Sequence, residues 1–222
     1  MTEGGSLLLG VCAVAVMLIG HRLGKRRKPL TGQEVADRLG LQFDAGRTSK
    51  VEPELTIINR LQYGKRYHAA NRFTGLYKGY RITLFDFRYE VEVISGRNQG
   101  LVEDPYCFFM LYLPRAFEEV TIYHEGLVSK IKQLSGANDI DFESYAFSRR
   151  FRVRSPNPKL AYDFCNGRMI EYLLDHTDLS IELDRNILCL SFNRPLRFEE
   201  VEDHLLQLVR IRELMPAYLF EE

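Results

Sequence analysis

The chain lacks the marks of several large functional classes. Its four cysteines, Cys12, Cys107, Cys165 and Cys189, form no CxxC pair and no regular spacing. That excludes a disulfide framework and suits a reducing compartment. The five histidines, at 21, 68, 124, 176 and 204, make no HxH or HExxH pattern, so no zinc site is expected. GxGxxG, GxxxxGK[ST] and GxSxG do not occur, which removes the signatures of dinucleotide folds, P-loops and the nucleophile elbow. Proline (8) and glycine (16) are too few for a disordered chain. Net charge is absent too, since 30 basic residues balance 30 acidic ones.

That neutrality conceals an asymmetry. Residues 1–28 hold one acid, Glu3, and five bases, Arg22, Lys25, Arg26, Arg27 and Lys28, so this tip carries +4 and the remainder −4. A mildly acidic body gains little from a phosphate backbone, which argues against nucleic acid as a partner. The 222 residues are 45% hydrophobic, enough to bury the core of one moderately large domain or two small ones.

The stretch SLLLGVCAVAVMLIGHRLGKRRK runs from Ser6 to Lys28. Its uncharged part, Ser6–Gly20, spans roughly 23 Å as a helix, short of the ~30 Å hydrocarbon core. Extension to Gly4–Leu23 reaches about 30 Å if His21 and Arg22 stand in the headgroup layer. A cleaved signal needs its basic residues before the apolar run; here they follow it. Positive charge stays on the cytoplasmic side. The expected organisation is a tail (1–5), a transmembrane anchor (6–23), a basic linker (24–29) and a globular domain (30–222), with a division near 136 left open. The N-terminus points out and the body faces the cytoplasm at the inner (plasma) membrane. Arg22, Lys25, Arg26, Arg27 and Lys28 either touch anionic lipid, at about 1 kcal/mol each, or only set topology.

The body mixes helices and strands without regular alternation, which predicts an α+β fold with mostly antiparallel sheet and packed helices. Thr31 and Glu34 have capping-box spacing, Leu30 and Val35 stand at staple positions, and Gly40 supplies a stop, predicting a helix over Gly32–Leu39. Arg72–Tyr77 and Tyr80–Val93 flank a Lys78-Gly79 hairpin turn. The apolar phase of the second strand flips near Leu84-Phe85, so either a bulge lies there or both faces are covered. A polar loop is expected over 95–104, a central strand over Tyr106–Leu113, and a helix carrying Leu127–Leu134 and closed by Gly136. Ile140–Val153 reads as extended, with a break near Ser144-Tyr145. Asn157-Pro158 opens a helix to about Asp175. Ser180–Leu183 and Ile187–Phe192 read as a hairpin about Asp184-Arg185-Asn186, and a last helix runs from Phe198 to Leu214.

Three stretches together carry a resemblance: NRFTGLYKGYRITLFDFRY (Asn71–Tyr89), YLPRAF (Tyr112–Phe117) and DIDFESYAFSRRFRVRS (Asp139–Ser155). In order and spacing they resemble a family of uncharacterised bacterial proteins with one N-terminal membrane span. The resemblance implies a membrane-tethered globular domain. It implies no activity, ligand or catalytic residue.

Two side-chain sets invite a chemical reading. On a strand, Asp139, Asp141 and Glu143 would share one face at about 6–7 Å spacing, suited to a hard cation or an acid/base pair; otherwise they form a solvated face. Arg150, Arg152 and Arg154 would share a strand face too, placed to clamp a phosphate, a lipid headgroup or an acidic tail. Alternatively they pair across strands with the acidic trio or with Glu90 and Glu92. Cys107 with His124 is the one Cys/His couple to consider, and nothing local activates the thiol. Asp86, between two phenylalanines, reads as a partly buried acid with Arg72 or Arg81 as partner. No catalytic residue and no cofactor is assigned. The expected function is a single-span membrane-anchored protein with a cytoplasmic binding or scaffolding domain, its partners the bilayer and a protein not identified by sequence. The alternatives are a metal-dependent hydrolase using Asp139, Asp141 and Glu143, or an anion or lipid-headgroup binder using the three arginines.

Overall fold

The computed structural model describes residues 29–49, 67–95, 98–124, 138–176 and 178–221. The anchor, its basic residues 22–28 and the expected helix at Leu127–Leu134 lie outside the described residues. Among those described, no helix is long and apolar enough to cross a membrane.

The first helix, α1 (Gly32–Leu39), forms where its punctuation predicts. Thr31 N–H donates to Glu34 Oε2 at 2.8 Å, and Glu34 N–H donates to the Thr31 hydroxyl at 3.2 Å. Each residue thus satisfies the other's orphan donor. Gly40 ends the helix at φ 69°, where a side chain would be strained.

Seven described strands form one antiparallel sheet: β1 (Gln42–Asp44), β2 (Tyr67–Tyr77), β3 (Tyr80–Ser95), β4 (Asn98–His124), β5 (Asn138–Ile140), β6 (Phe151–Ser155) and β7 (Ser180–Phe192). The order is β1-β2-β3-β4-β6-β5, and β7 also pairs with β4. Lys78 (φ 49°) and Gly79 (φ 83°) turn β2 into β3, with the two positive φ values that match strand twist in a two-residue hairpin. Expected as a polar loop, 95–104 instead belongs largely to the β3–β4 ladder, paired from Ser95↔Asn98 inward. Side-chain polarity misleads there because ladder bonds are made by the backbone.

Three further expectations are corrected. Ile140–Val153 is not extended throughout: β5 stops at Ile140, and helix α2 (Tyr145–Arg150) precedes β6. Ser144 accepts from Phe147 N–H at 3.4 Å, so the expected break is a helix cap. Phe147 is buried, with Phe142 at 5.3 Å and Phe151 at 5.2 Å between ring centroids. The helix expected from Asn157 to Asp175 is two, α3 (Pro158–Phe164) and α4 (Gly167–Asp175). Asn166 caps the second, accepting from Arg168 and Met169 N–H, and donates to Leu214 O at 3.0 Å. Ser180–Phe192 is one strand rather than a hairpin. The turn signal at Asp184-Arg185-Asn186 is spent on an irregularity: Arg185 adopts φ 50° where the β4–β7 register shifts around Phe117.

Last come a 3-10 turn (Phe198–Glu200), helix α5 (Val201–Leu214) and a second 3-10 turn (Ala217–Phe220). On one sheet face Phe109 and Phe192 pack against His204 of α5, at 5.2 and 4.0 Å between ring centroids. Opposite lies a buried cluster of Phe85, Phe87, Tyr106, Phe108, Met110 and Cys189. Both faces of the sheet are therefore covered, and Ile82–Phe87 is buried without alternation. The phase flip also marks a bulge, carried by β2 opposite Phe85: Ala70 pairs with Asp86 and Phe73 with Leu84, which leaves Asn71 and Arg72 facing one residue.

Replacing a helical glycine by alanine ordinarily gains up to about 1 kcal/mol. At Gly32 an added Cβ would stand 2.2–2.8 Å from the Phe43 ring. That ring is wedged against Phe73 at 4.7 Å and Phe198 at 6.0 Å. Gly32→Ala is expected to destabilise the fold by about 1–3 kcal/mol, read as a lower urea midpoint. In a Phe43→Ala background the same exchange should become neutral or stabilising.

Candidate functional site

The edge of the sheet opens at one place. Asp44 pairs with Arg72, and the next bridge joins Thr48 to Ala69. Between them Ala45, Gly46 and Arg47 run past only Ala70 and Asn71, so the ladder is interrupted beside the β2 bulge. Asn71 adopts φ 51°, a left-handed conformation that asparagine tolerates better than most residues. Its amide donates to Asp86 Oδ2 at 2.7 Å, while Leu196 N–H donates to Asp86 Oδ1 at 2.6 Å. Asp86 is 6% exposed, and two donors meet the requirement of a buried carboxylate. The expected arginine partners are therefore corrected. Arg81 lies over the Tyr112 ring at 3.7 Å, and Arg72 stands opposite Asp44 in register.

A cavity of about 240 Å³ occupies this opening, lined by Ala45, Arg47, His68, Asn71, Asp86 and Arg88 among others. His68 and Arg88 are directly opposed across β2 and β3. Asp86 and Arg88 share one face of β3, and Phe85 takes the other. Against Phe85 lies a second hollow of about 40 Å³ that reaches Asp44, Thr48 and Arg72.

A polar network holds the turn that delivers Leu196 to Asp86. Arg194 reaches Glu200 at 3.1 Å, Asp178 at 3.7 Å and His204 Nε2 at 3.1 Å. The other ring nitrogen, Nδ1, lies 2.9 Å from Gln207 Oε1. His204 is thereby held from both sides, stacked on Phe192. Cys107, paired with Asp86 in register, is pushed up to about 12, first by burial and then by the Asp86 charge.

A second depression, about 370 Å³, lies where β4 bends. Arg115, Phe117, Glu118, Asn157, Lys159, Asp163 and Tyr218 line it. Asp163 takes bonds from Lys159 Nζ at 2.9 Å and the Tyr218 hydroxyl at 2.8 Å. The Lys159 bond holds the Asp163 carboxyl below its ordinary range, and donation to Asp163 holds the Tyr218 phenol above its own. Asn157 donates to Glu118.

The structure separates the two sets singled out in the sequence. Asp139 lies on β5 and pairs with Arg154 of β6 at 2.5 Å, the cross-strand pairing the sequence offered as one alternative. Asp141 and Glu143 fall beyond the end of β5, so the three carboxylates share no strand face. Among the described residues no group of three or more His, Cys, Asp or Glu side chains converges to hold a metal. Arg152 and Arg154 do share a face of β6. Arg150 instead ends α2 and donates to Leu174 O at 2.9 Å. Cys107 and His124 stand at distant points of one strand, which keeps them apart. Sequence reasoning missed Arg47, His68 and Arg88. The phase flip and the lone Asp86 marked the place, but bringing Arg47 there takes the β1–β2 pairing, which no local spacing reveals.

Two outcomes follow from this geometry. Asn71→Ala loses the Asp86 bond and leaves alanine at a left-handed φ, and should cost about 1–3 kcal/mol in chemical denaturation; Asn71→Gly, which relieves the backbone, should cost less. For Cys107 the ordinary value is 9.0 and the folded value about 12. The unfolded chain therefore loses this proton first, so the thiol's contribution is intact below pH 9 and declines as pH climbs from 9 to about 12. Urea midpoints across that range check the slope, which Cys107→Ala should flatten.

No protein-family model and no curated protein matches the chain. Among solved structures it is similar to the crystal structure of the mycobacterial trehalose monomycolate transport factor A, TtfA. The match has a TM-score of 0.55 at 14% sequence identity, covering 81% of this chain and 89% of that one. At that identity the likeness is one of fold.

Proposed function

We propose that this chain is a membrane-anchored binding or scaffolding protein, with residues 6–23 as its single span and its α+β body on the cytoplasmic side of the plasma membrane. The observation that carries this reading is the charge reversal in the first 28 residues. One acid precedes the apolar run and five bases follow it, and a basic cluster of that kind resists translocation. The capped helix at Thr31 begins three residues after Lys28. Its fold is shared with a protein named as a transport factor, and we bring over from that name only an accessory role in transport. A protein partner is the expected ligand of the body, and the depression at the β4 bend, with Arg115, Lys159 and Tyr218 on its walls, is where we place it.

The hydrolase alternative has less behind it. Asp139 is neutralised by Arg154, and Asp141 and Glu143 stand off the strand. An arginine clamp at 150, 152 and 154 loses Arg150 to the end of α4.

A topology assay tests the proposal. A fluorescent reporter fused after Glu222 should light up in the cytoplasm and sediment with membranes after an alkaline carbonate wash, and deletion of residues 1–28 should release it to the soluble fraction. Activity of an alkaline phosphatase fused at the same point would put the body outside and overturn the proposal.

A further inference from the structure

We propose that the opening between β1 and β2 is a binding site for a phosphate group, with Arg47 and Arg88 as its cationic donors, His68 as a further hydrogen-bonding side chain and Asp86 as an acceptor at its floor. This site is separate from the β4 depression and does not depend on the tether.

The arrangement is hard to account for as packing alone. His68 and Arg88 are directly opposed on neighbouring strands, and both side chains line the opening. Arg47 joins them from the chain that crosses the opening. Where strands could pair continuously, the protein instead interrupts one ladder, bulges the next and holds Asn71 at φ 51°. Backbone strain of that kind persists where surrounding structure enforces it, and gathers at ligand sites. The resulting cavity of about 240 Å³ admits a tetrahedral oxyanion with part of the group that bears it. Guanidinium forks match phosphate oxygens two at a time, and a histidine ring N–H adds a donor.

Asp86 sharpens the choice of anion. Its oxygens already accept one bond each, from Asn71 and Leu196, and each keeps capacity for another. A carboxylate repels a fully ionised anion but accepts from one that carries a proton. A phosphate monoester has a second pKa of about 6, so a fraction of it bears P–OH near neutrality; sulfate bears none. The site should therefore prefer phosphate to sulfate.

Phosphate of this kind reaches a membrane-associated protein either as a soluble phosphate or as a lipid headgroup. The test uses the full chain in detergent, with calorimetric titration and thermal shift against inorganic phosphate, glycerol 3-phosphate, sulfate and short-chain (dihexanoyl) phosphatidic acid, with dihexanoyl phosphatidylcholine as control. Saturable binding of phosphate or of phosphatidic acid is expected, at least tenfold tighter than sulfate. Binding of the phosphatidic acid alone assigns the source to lipid; binding of the soluble phosphates assigns it to them. Arg47→Gln, at an exposed position that leaves the strands intact, should weaken binding at least tenfold, and Asp86→Asn should narrow the phosphate-to-sulfate ratio. Arg210→Gln on α5 controls for general charge and should change neither. Silence towards all phosphates, equal affinity for sulfate, or an unchanged Arg47→Gln would overturn the proposal.

Discussion

The fold depends on the backbone ladder along β4. This one strand, Asn98–His124, pairs with β3 through Leu111, with β7 from Cys107 to Ile122 and with β6 from Thr121 to His124. Register shifts between Tyr112 and Val120 bend it, so that its first half lies between β3 and β7 and its last turns towards β6. A bulge there is a condition of the topology rather than a flaw in it. It also leaves Arg115–Glu118 facing out beside the start of α3, which is how the larger depression arises.

The second constraint is electrostatic and local. A carboxylate at Asp86 is tolerable in the sheet because one donor comes from the neighbouring strand and another from the turn after β7. That turn is held in its own right by Arg194, which binds Glu200, Asp178 and the ring of His204. Strand, turn and helix α5 are thus linked by one polar network, and such a network is strong only when every member is satisfied.

Local chemistry was the legible part of the sequence. The reciprocal spacing of Thr31 and Glu34, the Lys78-Gly79 turn and the Asn157-Pro158 helix start each rest on residues within a few positions of one another, and each is found where it was expected. Failures came where a signal had two uses. Ser144 reads as a strand break or a helix cap, and Asp184-Arg185-Asn186 as a turn or a kink within a continuous strand; the sheet register decides both. Candidate sites divide the same way. Period two placed Arg152 and Arg154 on one face correctly, and it failed for Arg150 because a helix ends there. Arg47, His68 and Arg88 converge only through strand pairing between distant segments, which no periodicity carries.

One contact between the ends of the body has a mechanical meaning. α1, the first described helix, lies beside α5: Phe43, just after α1, meets Phe198, just before α5, at 6.0 Å, and Arg38 reaches Glu202 at 3.4 Å. The ion pair is exposed and worth little, so the ring contact dominates. A load applied to α1 would travel through those rings into α5 and spread across the layer beneath it, instead of opening the sheet from one rim.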